Sequence, residues 1–255
     1  TYTGKPYYAG PYYLRTGRSS VFRMIKEVII LAGGLGTRLQ SVVADVPKCM
    51  APVNGIPFIS YLITYLQKQG VNRFIFSLGY KSEIVTAYTN THFAALEKIY
   101  VIEEEPLGTG GAIAAACKRT INENVLVLNG DTFFDIDLSR LSGFHLLHKA
   151  TCTIALKPMS HFSRYGAVDT DAKGIITAFH EKQFCESGFI NGGIYALQSK
   201  TILEAGLPEK FSFEKDFLEK NTGGKLYAIA FDDYFIDIGI PEDYELANHE
   251  LVSKL

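Results

Sequence analysis

Hydrophobic positions along this chain fall into short runs broken by glycine, proline and charge. Val28, Ile29, Ile30 and Leu31 are consecutive, long enough for a buried strand and too short for a helix. Residues 74–79, 99–103 and 124–128 read as further strands. Between them the spacing turns helical: Phe58, Ile59, Leu62, Ile63 and Leu66 lie on one face, with Pro57 placed to occupy the first helical position and Gly70 to close the helix. Residues 81–89 and the Ala-rich 112–117 predict two more helices. Such alternation predicts the α/β class: a Rossmann-like, mostly parallel but mixed central sheet with helices on both faces. From Thr151 the pattern becomes β-rich, with a strand at 151–156 and a hairpin of 165–169 and 175–180 around Asp171, Ala172, Lys173 and Gly174. Pro241 opens a last helix, with Glu242 and Asp243 in the first turn where the helix dipole favours them. Residues 24–255 therefore read as one domain.

Composition adds mainly exclusions. With 255 residues and a net charge of −2, the chain can bury a core, and no global field favours nucleic acid or an anionic membrane. No apolar run approaches the ~18 residues of a membrane span. Cys49, Cys117, Cys152 and Cys185 are scattered without C-x-x-C spacing and read as reduced thiols of a cytoplasmic protein. His145 and His148, the one i, i+3 histidine pair, read as a surface helix face, since no carboxylate lies in a matching frame. Residues 1–23 are rich in tyrosine and cations, contain no acid and lack the apolar core of a signal peptide. They read as a leader outside the fold, Met24 standing where a natural start is expected. The alternative is an arm that orders on a partner subunit.

The chemistry concentrates after the first strand. Gly33, Gly34 and Gly36 let the backbone turn tightly and bring its N–H groups to a ligand. A helix beginning near Arg38 would aim its positive end at the same place, which suits phosphate. Arg38 and Lys48 add fixed cations. Neither G-x-x-x-x-G-K-[ST] nor G-x-G-x-x-G is satisfied, so this is neither a P-loop nor a dinucleotide fingerprint. Asp131 ends the 124–128 strand, where a carboxylate can hold Mg²⁺ or cap a turn. Asp135 and Asp137 alternate with apolar residues and read as solvent-facing or capping charges.

Gly33-Gly34-Leu35-Gly36-Thr37-Arg38-Leu39 followed by Pro47-Lys48 resembles the signature of the sugar-phosphate nucleotidylyltransferases, which make nucleotide sugars. Leu107-Gly108-Thr109, Leu128-Asn129-Gly130-Asp131, Tyr165-Gly166, Glu181-Lys182, Asn191-Gly192 and the stretch from Asp237 to Tyr244 resemble that family's segments in order. Ile240 departs from its usual threonine and removes a possible helix N-cap. The resemblance implies a nucleotide subsite of Leu31, Ala32, Gly33, Gly34, Gly36, Thr37, Arg38, Lys48, Leu107, Gly108 and Thr109. It implies a sugar-phosphate subsite of Gly166, Glu181, Lys182, Asn191 and Gly192, with Mg²⁺ on Asp131 and Asp237. Arg38, Lys48, Asp131, Lys182 and Asp237 would be catalytic; Glu105 is given no role. On this basis 24–150 would bind mainly nucleotide, 151–240 mainly sugar phosphate, and 241–255 form the C-terminal helix.

The reaction implied is nucleotidylyl transfer from a nucleoside triphosphate to a sugar 1-phosphate, with release of pyrophosphate. The wording of 104–113 and 128–138 is most similar to the heptose 1-phosphate guanylyltransferase branch, which favours GTP and D-glycero-α-D-manno-heptose 1-phosphate for a surface glycan. Mannose 1-phosphate, or UTP with an N-acetylated amino-sugar 1-phosphate, are the alternatives within the class. A catalytically silent regulatory subunit is the alternative outside it. Neither nucleic acid nor membrane is expected as partner, and a homo-oligomer is left open.

Overall fold

The computed structural model describes residues 24–34, 39, 43 and 46–254. The leader or arm of 1–23 and most of the helix expected near Arg38 lie outside these residues. Strand β1 (Glu27–Ala32) is flanked by β4 (Arg73–Leu78) and β6 (Asn124–Asn129), both parallel to it, and β5 (Glu97–Ile102) pairs in parallel with β4. The other half of the sheet comprises β8 (Cys152–Phe162), β11 (Cys185–Gln198) and β12 (Leu226–Ala230). Strand β11 runs antiparallel to both β6 and β8, and β12 is parallel to β8, giving the order β12-β8-β11-β6-β1-β4-β5. The expected mixed, mostly parallel sheet is present. Three two-residue to four-residue pairs stand outside it: β2 (Pro52–Val53) with β3 (Ile56–Pro57), β7 (Thr132–Phe134) with β13 (Phe235–Asp237), and β9 (Val168–Thr170) with β10 (Ile176–Phe179).

The central strands are buried on both faces, which is why they read as unbroken apolar runs. Along β1, Val28 and Ile30 enter one core and Ile29 the other. Helix α1 (Phe58–Lys68), α4 (Leu138–His148) and α6 (Pro241–Glu250) pack on the first face through residues such as Leu62, Leu141 and Ala247. Helix α2 (Ser82–His92) adds Val85 there. On the opposite face α3 (Gly108–Cys117) and the short α5 (Ser199–Leu203) contribute Ile113, Ala116 and Ile202, joined by Phe213 and Phe217.

Local structure departs from the sequence reading in three places. Pro57 is not the first residue of α1: it is drawn into the β2–β3 hairpin and caps the helix, which begins at Phe58. Helix α3 opens at Gly108, before the alanines, because Gly108 adopts φ +74° and the glycines after it tolerate a neighbouring segment's close approach. His145 is buried, not on a surface face. Its Nε2 lies 2.9 Å from Asn124 Oδ1 and its Nδ1 3.0 Å from Thr153 Oγ1. Helix α4 turns that side of itself onto β6 and β8, so a polar residue at core spacing found polar partners instead of water. Asp137 does cap α4, accepting from the backbone N–H groups of Ser139 and Arg140.

The amino-terminal edge of the sheet is closed by a buried acid. Glu27 is fully buried. It accepts from the backbone N–H groups of Ile121 and Asn122 and from Asn122 Nδ2, and it faces Arg73 at 3.4 Å. This ties β1, β4 and the loop before β6 together at the end of the sheet opposite the glycine loop.

Burial lowers the His145 pKa from 6.5 to about 4. The unfolded chain therefore binds a proton between these values that the native chain does not, and native stability falls as pH drops through the window. We expect the urea midpoint to decline from pH 6.5 to pH 4, and His145→Asn to flatten that part of the profile. A profile of unchanged slope in the variant would show that other groups carry the acid sensitivity.

Candidate active site

Four parallel strands deliver their carboxyl ends to one edge of the sheet, where α/β sheets place ligands. In spatial order these ends lead to Asp131 after β6, Gly33 after β1, Ser77 near the end of β4 and Glu103 after β5. Together they form one side of a cleft of about 540 Å³. Its opposite side comes from the β-rich half, through Arg164, Tyr165, Lys182 and Asp237, with Asp243 at the start of α6.

The floor is a charge cluster. Lys48, in the short turn Lys48–Met50, places Nζ 2.5 Å from Asp131 Oδ2 and 3.5 Å from Asp237 Oδ1. The two carboxylates meet because β7 and β13 pair with Asp237 opposite Thr132, and because Ile238 N–H donates to the Asp131 carbonyl at 3.0 Å. Burial, and then the Asp131 charge, raise the Asp237 pKa, while Lys48 and a 2.8 Å hydrogen bond from Gly239 N–H oppose the rise. The carboxylates thus converge on a point already filled by a cationic group. Their donors are oxygen alone, and among the described residues no third His, Cys, Asp or Glu joins them as a metal-binding group. Such a pair fits Mg²⁺, which takes one or two carboxylates and shares its other positions between water and substrate phosphates.

Neighbouring groups are held in defined protonation states. Tyr165 has its phenol pushed up to about 12, first by burial and next by the Asp237 charge, so at neutral pH it is an uncharged donor. Cys49, beside Lys48, is likewise raised to about 12 by burial and then by Asp131, which makes it an inert wall. Arg164 bonds Asp243 at 2.8 Å and lies 5.6 Å from the Tyr165 ring centre.

Of the residues expected from sequence, Leu31, Ala32, Gly33, Gly34, Lys48, Gly108, Thr109, Asp131, Lys182 and Asp237 line this one cleft. Gly36, Thr37 and Arg38 lie outside the described residues. Leu107 stands behind the wall, where its N–H donates to Glu103. Gly166 backs onto the His180 carbonyl, and Gly192 onto the Phe134 ring. Asn191 is engaged with the Tyr195 hydroxyl and the Gly193 N–H inside a bulge of β11. Glu181 is exposed and sits 3.7 Å from Lys215. Glu103, Arg164 and Glu214 line the cleft without having been singled out. Arg164 directly precedes the Tyr165-Gly166 pair and Glu103 follows a strand that ends at the cleft, yet neither position tells which side chain turns inward. Nothing local could have flagged Glu214, which arrives from 105 positions further along than Thr109, whose Oγ1 donates to it at 2.7 Å.

That contact belongs to a seam. Gly110 N–H donates to the Phe211 carbonyl, Phe211 N–H to the Leu107 carbonyl, and Phe213 N–H to Thr109 Oγ1. The loop expected to carry nucleotide is thereby stitched to the turn of helix Phe213–Leu218.

A sheet edge of this kind can gather anionic phosphates onto a glycine turn and a lysine, with a paired-carboxylate metal position beside them. That is the equipment of a phosphate-transferring α/β enzyme. The family model for nucleotidyl transferases matches residues 27–254, and the chain belongs to that family. It is 50% identical over 227 residues to a D-glycero-α-D-manno-heptose 1-phosphate guanylyltransferase from Aneurinibacillus thermoaerophilus, covering 88% of this chain and 98% of that one. It is 49% identical to the protein of the same name from Campylobacter jejuni, covering 86% and 96%. HddC from Yersinia pseudotuberculosis, solved complexed with GMP-PN, superposes with a TM-score of 0.81 at 41% identity, covering 89% of this chain and all of that one.

A Cβ added at Gly110 would lie 2.2 Å from the Phe211 ring. Gly110→Ala should therefore lose about 1–3 kcal/mol through overpacking, visible as a lowered Tm in thermal denaturation. An unchanged Tm would mean that the seam yields without cost.

Proposed function

We propose that this chain transfers a guanylyl group from GTP to a sugar 1-phosphate, D-glycero-α-D-manno-heptose 1-phosphate foremost, releasing pyrophosphate. The observation that carries the reading is the near-full-length identity of about half to heptose 1-phosphate guanylyltransferases, over a cleft that keeps the lysine and both carboxylates. The GMP-PN complex of HddC supports a guanine nucleotide.

The chemistry asks for little covalent help. A sugar-phosphate oxygen, already anionic, attacks the α-phosphorus in line; the new P–O bond forms as the bond to pyrophosphate breaks. No strong general base is needed, and the barrier lies in bringing two anions together and neutralising the leaving group. Lys48 would bind the nucleotide phosphates as a fixed cation. Lys182, exposed on the far wall, would meet the sugar phosphate. Arg38 would neutralise the leaving pyrophosphate, a role resting on its position in the sequence motif. Tyr165 stays protonated and would donate a hydrogen bond to the sugar phosphate or a hydroxyl. Asp131 and Asp237 would hold Mg²⁺, which supplies charge neutralisation and polarisation of the phosphates when bound. Because Lys48 now spans both carboxylates, its move toward an arriving phosphate would free their inner oxygens. Four buried free thiols favour a reducing compartment, so we assign the reaction to the cytoplasm as a supply step for a surface glycan.

The test is pyrophosphate release with Mg²⁺, crossing GTP, UTP, CTP, ATP and dTTP against heptose, mannose, glucose and N-acetylated amino-sugar 1-phosphates. GTP with the heptose 1-phosphate should exceed every other pair. A different best pair would move the substrate assignment, and silence of a folded protein would end it. Asp131→Asn should cut kcat by about 10²-fold or more, as removal of comparable preorganised groups does; a folded variant with the parent rate would remove Asp131 from the machinery.

A further inference from the structure

Two hollows meet in the β-rich wall of the cleft. Behind that wall a second hollow of about 290 Å³ opens against Met159, Phe162, Phe235 and Leu246. Arg164, Tyr165, Asp237 and Asp243 line both hollows, so these side chains form the partition between them. Arg164 supplies the one cation in that partition, and the roles given to Lys48, Lys182 and Arg38 leave it unused.

Its place is fixed from both directions along the chain. Phe162 is buried in a small apolar cluster with Ala167, Cys185 and Ile190, and Tyr165 packs against the same cluster. Only Ser163 and Arg164 stand between these anchors, and both are exposed. The guanidinium donates to Asp243 Oδ2 at 2.8 Å, and Asp243 is itself held in the first turn of α6. Burial works against the Arg164 charge, but the Asp243 bond and charge, with contributions from Tyr165 and Asp237, outweigh it and raise its pKa. The charge of Asp237, one of the paired carboxylates, therefore reaches the guanidinium.

The ion pair is lopsided. The Arg164 side chain is 48% exposed and that of Asp243 21%. A guanidinium carries a rigid fork of N–H donors, and a single bond to Asp243 leaves most of them unused. Among the described residues Asp243 is its one hydrogen-bond partner. The carboxylate is thus the anchor, and the open edge of the fork is presented to the cleft. An ion pair this exposed contributes little to stability, so fastening α6 to the wall is a poor account of it. An oriented fork with free donors is suited to a second anion.

Its neighbours say which anion. The glycine turn and Lys48 take the nucleotide phosphates on the sheet side, whereas Arg164 shares the opposite wall with Tyr165 and Lys182. Lys182 is exposed, a point charge on a flexible stem that attracts a phosphate without orienting it. A guanidinium fork can hold two phosphate oxygens at once and fix their plane. Orientation matters for the sugar phosphate in particular, because its attacking oxygen must lie in line with the departing pyrophosphate.

We propose that Arg164 binds and orients the phosphate of the incoming sugar 1-phosphate through the open edge of its guanidinium. Asp243 is the positioning residue that holds the fork in that attitude. The proposal rests on the guanylyl-transfer reading and adds to it the group that aligns the nucleophile.

The experiment measures initial rates on the best substrate pair, titrating each substrate with the other saturating, for the wild type, Arg164→Gln, Arg164→Lys and Asp243→Asn. Loss of hydrogen bonds to a charged group predicts that Arg164→Gln raises the KM for sugar 1-phosphate about ten- to a hundred-fold. Its KM for the nucleotide should stay within about twofold of the parent, because the lost contact serves one substrate only. Arg164→Lys, which keeps the charge and loses the fork, should fall between, and Asp243→Asn should raise the same KM by a smaller factor. If the Arg164 variants lower Tm but keep both KM values, the ion pair only fastens the turn to α6, and the proposal is overturned. Equal rises in both KM values overturn it too, since the group would then act on the cleft as a whole. If Arg164→Gln does not fold, Arg164→Lys decides by the same split. A folded wild type silent on every pair would instead end the guanylyl-transfer reading. Binding then decides the role of Arg164: sugar 1-phosphate should raise the Tm of the wild type and not that of Arg164→Gln, and a shift equal in both or absent from both overturns the proposal.

Discussion

Two ionised carboxylates side by side repel unless a cation or a shared proton lies between them, and much of this molecule is arranged around that fact. Asp131 and Asp237 come from positions far apart in the chain and are brought together by the pairing of β7 with β13. Left alone they would repel, and the raised Asp237 pKa registers both burial and that repulsion. Lys48 relieves it from the turn after the glycine loop. All three side chains are partly buried, so the interaction is screened less than a surface pair would be. On the proposed reading the same three groups would serve phosphate and metal, and the ligand-free charge balance and the catalytic apparatus would be one object.

The sheet supplies the frame for it. Parallel strands end at a common edge, and the antiparallel β11 between β6 and β8 turns the chain back so that the β-rich half faces that edge. Glu27, buried with Arg73 and the backbone of Ile121 and Asn122, clamps the opposite end. A second tie crosses the cleft wall, where Gly108 and Gly110 let Phe211 approach and Thr109 bonds Glu214 and Phe213. Movement of the loop at 107–111 is therefore linked to the segment that carries Glu214, on the far side of the chain's midpoint.

Local rules suffice where periodicity or capping alone decides the structure. The central strands and α1 were legible because their apolar positions follow strand length or helical period, and Asp137 because capping is a local affair. His145 was misread because helical spacing reports which side of a helix a residue occupies, not what that side meets. In α4 it meets Asn124 and Thr153. Pro57 was displaced from the first helical position by pairing with Pro52, a contact across a turn that competed with its preference for a helix start. Glu105 and Glu103 cannot be ranked by sequence: they differ by two positions, and only the end of β5 decides which turns inward.

By itself the sequence determined the α/β class and the aspartate at a strand end, since runs of strand and helix and the places where they stop follow short-range pattern. It also carried the family resemblance, which spans most of the chain. Tertiary structure alone decided that Lys48 spans both aspartates, that Asn191 turns to Tyr195 and Gly193 within a bulge, and that Glu103, Arg164 and Glu214 enter the cleft. The reason is physical: strand and helix formation follow local periodicity, whereas the meeting of charges depends on register between strands distant in the chain, where a shift of one residue would turn each side chain to the other face.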